Sequence, residues 1–384
     1  MKHIVQALRP IPRSVFHELA SLEFKGERFH LALWRILSVV MAVTVAALLQ
    51  LDDLSWAAFS GFMVMRSEVN VSILRGFNRF FGTFAGIFIG LLGAALSADH
   101  PWLMVALFFF VGWVCSIYTF FSPFSYAWLF FYLTITMVMG YSLTDPAGTF
   151  GFAETRLAEI SIGTGSCVLV AALRAGALPA RVKRQSTVGR HFHLSFVLSE
   201  AWLERYWLLV GYSARVGIAC AIQPLIANFI NVDNNNDLTQ QMTSAFVVMM
   251  MGSNRVYEGD HVYVHTRIVH RMVGCILGSL FGILLLSLFE QTYWVLVMGL
   301  AVGVMIASQV EHGEHRIPYV GTQFGLGFLM TYVQSYLPAT SITPGLDRLV
   351  GIIAGCVGAY IVLQCWPLGL SVLKYRARHT HHHP

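Results

Sequence analysis

The chain has 384 residues, of which 56% are hydrophobic and only 12% charged, whereas soluble domains carry about a quarter charged residues. That composition excludes an ordinary water-soluble domain and describes a polytopic membrane protein. A formal charge of +5 would attract acidic partners in solution, but in a membrane chain the placement of charge matters more than its total, and no nucleic-acid partner is expected.

Residues 1–30 lack the charged start, compact apolar core and small-residue cleavage site of a removable leader, so the first span is expected to stay as an anchor. Ahead of it Val15, Phe16, Leu19 and Leu22 share one helical face, with Arg13, Glu18, Glu23 and Lys25 toward the other. This is the pattern of an interfacial helix lying along a membrane. A crossing helix needs roughly 20 apolar residues. Candidates follow at 31–50, 77–98, 101–121, 124–142 and 155–175, then at 208–231, 271–289, 292–309, 317–336 and 347–367. Two shorter runs, 54–66 and 241–253, raise the expected total to about twelve and are read as tilted, kinked or partly re-entrant. The expected division is an interfacial N-terminus at 1–30, a transmembrane repeat at 31–175 and a basic linker with an amphipathic segment at 176–206. A second repeat at 207–367 and a basic tail at 368–384 complete it.

With both ends placed in the cytoplasm, every lysine and arginine except Arg35, Arg156, Arg215 and Arg348 falls on the inner side. The outer turns LDDLSW, SADHPW, VDNNND and LFEQTYW hold acids and no basic residue. The positive-inside rule therefore favours an even number of spans with both termini inside. An offset of 192 residues matches Arg75 with Arg267, Arg79 with Arg271, Pro146 with Pro338 and Arg156 with Arg348. The same offset carries Gly82, Gly86 and Gly90 onto Gly274, Gly278 and Gly282, and small shifts place Arg35 on Arg215 and Tyr126 on Tyr319. The expected fold is all-α, with two parallel six-helix repeats related by a pseudo-two-fold axis along the membrane normal. Transporters with such repeats place their site at the repeat interface.

The RxxxRxxGxxxGxxxG run is expected to begin a span at the inner face in each half. Glycines four apart line one helical stripe and let another backbone approach. Two arginines near a helix start oppose its dipole, and an anion there would be held by both the dipole and the guanidinium forks. The alternative is a lipid-phosphate anchor or a topology signal. Arg156 and Arg348 at the outer side, and Arg35 and Arg215 within the inner part of their spans, are charges expected to face an interior or a wet cavity. Their alternative is structural ion pairing, Arg156 with Glu159 three residues on and Arg348 with the adjoining Asp347. Glu159 is also a candidate proton carrier. Tyr126, Trp128, Tyr132, Tyr319 and Phe324 are candidates to stack on a substrate ring, or else packing and lipid-facing aromatics.

No cofactor or metal is expected. The six cysteines Cys115, Cys167, Cys220, Cys275, Cys356 and Cys365 lie in expected spans without CxxC pairing and read as packing residues. DNNNDL at Asp233 lacks the glycine and glutamate of a calcium loop. EHGEH at Glu311 has no zincin spacing, His261 and His265 are assigned to a solvated inner loop, and the closing HTHHHP carries no argument.

Together SWAAFSGFMVMR at Ser55, RGFNRFFGTFAG at Arg75 and SYAW at Ser125 resemble the fusaric acid resistance and aromatic acid exporter family. The plant aluminium-activated malate transporters look like more distant relatives. In the second half Cys275 replaces Thr83 and the short-helix tryptophan is missing, and the large cytoplasmic domain of many members is absent. The resemblance implies an exporter of aromatic carboxylates in a bacterial inner membrane, driven by the proton gradient, with a periplasmic adaptor as partner. A homodimer is a further expectation by analogy with the malate transporters. A passive anion channel is the alternative; an enzyme would need clustered carboxylates or histidines in the spans, and a structural envelope protein would have little use for buried arginines.

Overall fold

A computed structural model of the chain describes residues 7–98, 100–177, 200–229, 235–289, 292–315, 317–334 and 343–365, and among these it is helix and turn without strands. The first half contains α1 (Ile11–Ala20), α2 (Glu27–Leu48), α3 (Leu54–Val64), α4 (Val69–Ser97), α5 (Pro101–Phe121), α6 (Ser125–Tyr141) and α7 (Thr149–Ala177). The second contains α8 (Glu200–Ala221), α9 (Gln223–Phe229), α10 (Asn235–Met249), α11 (Ser253–Glu258), α12 (His261–Leu288), α13 (Tyr293–Glu311), α14 (Pro318–Tyr332) and α15 (Thr343–Cys365). The linker beyond Ala177 and the C-terminal tail lie outside the described residues up to Glu200 and after Cys365.

The chain sets its own boundaries. Gly26, at φ +95°, turns the chain into α2, a conformation that costs a glycine little. Asp53 caps α3 by accepting from the Ser55 N–H, and Asp260 caps α12 by accepting from the Tyr263 N–H. Pro101 and Pro318 sit in the first turns of α5 and α14, where the missing N–H is harmless.

Among the described residues eight helices are long and apolar enough to cross a membrane, so this is a multi-pass membrane protein. The short helix α3 has 11 residues, and α6, α10 and α14 have 17, 15 and 15. The full spans expected at 124–142 and 317–336 are therefore helical but shorter. The stretch expected as one helix at 208–231 breaks between Ala221 and Gln223, with Pro224 at the start of α9. Two helices also begin earlier than expected, α4 at Val69 instead of 77 and α12 at His261 instead of 271. Arg75, Arg79, Arg267 and Arg271 consequently lie past the first turn, where the helix dipole has little effect. His265 is not in a solvated loop: it is buried on α12 between Gln364 and the edge of the Tyr360 ring.

α4 has two faces. Gly82, Gly86, Gly90 and Gly93 are buried, while Phe77, Phe81, Phe84 and Phe88 are exposed, the arrangement of a helix facing protein on one side and lipid on the other. A Cβ on Gly86 would stand 2.9 Å from the Phe131 carbonyl oxygen of α6, and one on Gly274 2.7 Å from that of Val320 on α14. Thus α4 lies along α6, and α12 along α14, nearly backbone to backbone. The other contacts also come in pairs: α3 with α7 and α10 with α15, α2 with α13 and α8 with α5, α3 with α14 and α10 with α6. A core around Tyr132, Phe246 and Val216 and a second around Phe62, Val304 and Phe328 fill the spaces between them.

The α1 helix buries Ile11 and Glu18 and packs Val15 against Val310, Ile317 and Val320. Phe16 and Leu19 remain exposed. Glu18 is thus not on the solvated face the spacing assigns it, because His315 and Arg28 draw it inward.

Candidate functional site

Charged side chains gather in ion pairs at both ends of α3. At its Asp53 end the two halves meet on one carboxylate. Arg348 Nη2 on α15 donates to Asp53 Oδ2 at 2.7 Å, and Arg156 Nη1 on α7 lies 3.3 Å from the same oxygen. Arg156 also bonds Glu159 Oε2 at 2.8 Å, while the Asp53 N–H donates to Glu159 Oε1 at 3.1 Å. Arg348 Nη1 reaches the Met330 carbonyl at 2.6 Å, and the Arg156 guanidinium lies over the rings of Trp56 and Phe152. Burial pushes the Asp53 carboxyl up, but the Arg348 and Arg156 charges and the bonds from Ser55 outweigh it and hold it below its ordinary value.

At the opposite end of α3, Arg35 Nη1 donates to Glu311 Oε2 at 2.6 Å and Nη2 to the Met65 carbonyl at 3.0 Å, with the guanidinium over the Phe62 ring. Arg66 bonds the other oxygen of Glu311. Next to this cluster α1 is latched in place. Glu18 accepts from the His315 N–H at 2.6 Å and from Arg28 at 3.2 Å, and the Glu23 N–H donates to Gln309. Burial raises the Glu18 carboxyl, while the hydrogen bonds and charges of His315 and Arg28 bring it below the usual carboxylate value.

Outside these ion pairs lie the arginines of the repeated motif, Arg75 and Arg79 against α6 and Arg267 and Arg271 against α14. Arg75 stacks on Tyr126 at 4.7 Å and Arg267 on Tyr319 at 4.4 Å. Arg75 is close enough to feel Arg66, Glu311 and Arg35. One turn further along, Arg79 and Arg271 are fully buried, and each donates Nε to a serine of the short helix, Ser60 at 3.0 Å and Ser244 at 3.1 Å. Arg79 stacks on Phe130 and Phe59, at 3.9 and 4.7 Å. Arg271 instead donates Nη1 to Gln323 at 2.7 Å. Among the ion pairs of the described residues none involves these four arginines, which sets them apart from Arg35, Arg156 and Arg348.

The remaining candidates lie elsewhere. Arg215 is buried on α8 near Tyr212. Trp128 stacks on Tyr118 at 4.1 Å, Tyr132 on Phe246 at 4.0 Å, and Phe324 packs between Phe281 and Phe328. Only Tyr126 and Tyr319 among the aromatic candidates are brought to an arginine. Sequence reasoning missed Asp53, Glu311, Ser60, Ser244, Phe59, Phe130 and Gln323. Ser60 and Ser244 were accessible as a matched pair, since each falls in a short helix ahead of the repeated motif.

Residues 39–170 and 242–362, well over half of the chain, match the family described as Fusaric acid resistance protein-like. The chain belongs to that family. For this member the two matched segments take in α3 to α6 and α12 to α14, and with them the four unpaired arginines. It is also similar to the "Uncharacterized transporter YdhK" of Escherichia coli strain K12 and its counterpart in Escherichia coli O157:H7, each 26% identical over 145 residues. The alignment covers 35% of this chain and 22% of the length of those relatives. No solved structure matches the chain.

Proposed function

We propose that this family member is a membrane transporter, not an enzyme, and that it exports organic anions, with aromatic carboxylates as the favoured class. The carrying observation is the contrast among its arginines, buried or half-buried between the helices. Arg35, Arg156 and Arg348 are bonded to carboxylates, whereas Arg75, Arg79 and Arg267 stack on aromatic rings and have no acidic partner among the described ion pairs. Cations held this way favour an anionic guest with an apolar body. Arg215 apart, the candidate arginines of the sequence thereby separate into two kinds: ion-paired cross-links at the two ends of α3, and binding groups on α4 and α12.

The matching of helix contacts between the halves supports two parallel six-helix repeats about one axis, with the short helices completing twelve crossings. In this reading the protein sits in a bacterial inner membrane with both termini in the cytoplasm, so the Glu311 end is the inner mouth. Glu159, fully buried and bonded by Arg156 and the Asp53 N–H, is the proposed proton carrier. A periplasmic adaptor and a second copy of the chain remain proposed partners.

Efflux of a panel of aromatic acids from proteoliposomes, with and without a pH gradient, tests the reading. Transport is expected to respond to the pH gradient and to fall at least tenfold in the Arg75→Ala, Arg267→Ala double variant. Unchanged flux in that folded variant would remove the arginines from the path. Flux that follows the anion gradient alone would make the protein a channel.

A further inference from the structure

The buried arginines of the two halves occupy matching places but are not equivalent. Both donate Nε to a serine of a short helix. Beyond that bond they diverge. Gly82 faces the carbonyl of Ala127 and Gly274 that of Val320, a register that gives Phe130 of α6 and Gln323 of α14 corresponding places in the two halves. The Gln323 amide oxygen accepts from Arg271 Nη1 at 2.7 Å, as an oxygen of a bound anion would. The Phe130 ring cannot accept in that way. It lies flat against Arg79, and Nη1 and Nη2 of Arg79 are both buried with no hydrogen-bond partner.

A guanidinium removed from water with both terminal NH2 groups unbonded is strongly unfavourable, and stacking on two rings offsets only part of that cost. A carboxylate is the group that matches this deficit, because its two oxygens fit a guanidinium fork. The neighbouring surfaces suit the rest of an aromatic acid. Phe59 and Phe130 enclose the guanidinium with apolar rings, and the Tyr126 hydroxyl, buried without a close hydrogen bond, lies beside the Arg79 charge.

We propose that Arg79, with Phe59, Phe130 and Tyr126, forms a carboxylate site in the first half, and that Gln323 closes the matching Arg271 site internally, so that one chain holds one anion and not two. This rests on the anion-transport reading above and adds to it a location, a stoichiometry and an asymmetry between the halves. The second half then supplies a fixed, self-satisfied counterpart to a site that fills and empties.

Equilibrium binding of radiolabelled benzoate to the full chain in lipid nanodiscs distinguishes these statements, with acetate and chloride as competitors. The wild type is expected to bind one benzoate per chain, with acetate and chloride competing at least tenfold more weakly. Arg79→Gln is expected to weaken binding at least tenfold. Should that variant not fold, Phe130→Gln, which offers Arg79 the same internal partner that Arg271 has, is expected to have the same effect. Gln323→Ala is expected to raise the stoichiometry to two. Two equivalents in the wild type, one equivalent in Gln323→Ala, or full affinity in folded Arg79→Gln or Phe130→Gln would each overturn the asymmetric site while leaving anion transport standing. Equal competition by acetate would overturn the role of the rings. Neither binding nor efflux of any acid by the wild type would overturn the transport reading itself.

Discussion

Asp53 shows how much one side chain can hold together. Its single carboxylate receives Arg156 from α7 and Arg348 from α15, and its own N–H anchors Glu159. Removing one partner from a buried ion pair leaves an uncompensated charge, typically at a cost of about 3–5 kcal/mol. Asp53→Ala is accordingly expected to lower unfolding stability by about 3 kcal/mol in detergent, read from thermal melts. Asp53→Leu combined with Arg348→Met should recover much of that loss, because no buried charge of that pair is then left alone. A double variant no more stable than Asp53→Ala would mean that the cluster contributes specific geometry beyond charge balance.

Among the elements, α4 and α12 depend on small residues. A leucine at Gly86 would collide with the backbone of α6, where even a Cβ stands 2.9 Å from the Phe131 oxygen. Gly86→Leu is therefore expected to cost about 1–3 kcal/mol or more, whereas Phe88→Leu on the exposed face of the same helix should be close to neutral. The attachment of α1 has a pH dependence. Glu18 carries a lowered carboxyl value because His315 and Arg28 favour its charged form despite burial. Its contribution is present above the ordinary carboxylate value of 4.5 and is lost as pH falls through the lower value of the folded state. Proteolysis near Ser21 should therefore accelerate in acid below that value, and Glu18→Gln should show fast cleavage already at neutral pH. A cleavage rate independent of pH and of that substitution would show that apolar contacts at Ile11 and Val15 hold α1 alone.

For the whole molecule, the proposed orientation has a direct check. Ser21 and Asp52 are both exposed and lie near opposite ends of α2. In a Cys365→Ser background, Asp52→Cys is expected to react with an impermeant maleimide added outside spheroplasts, and Ser21→Cys only after permeabilisation. The reverse result would invert the charge-based topology.

Composition and apolar run lengths established a multi-pass, all-helical membrane chain, because hydrocarbon admits only segments that satisfy their own backbone and expose apolar side chains. The repeated arginines and glycines, and the aromatic and glycine positions that signal the family, were legible for the same reason: each is a local requirement visible at fixed spacing. Pairing was not. That Arg35 meets Glu311 across 276 residues, and that Arg156 and Arg348 share Asp53, depends on which helices lie side by side. No periodicity within one helix records that. The early starts of α4 and α12 were hidden because polar and basic residues, Asn70, Ser72 and Arg75 in one and His265, Thr266 and Arg267 in the other, interrupt the apolar run there. The unlike surroundings of Arg79 and Arg271, phenylalanine in one case and glutamine in the other, acquired meaning only when close glycine packing set α6 and α14 in register against them. Local chemistry is written residue by residue, but the partner of a buried charge is chosen by the packing of helices far apart in the chain.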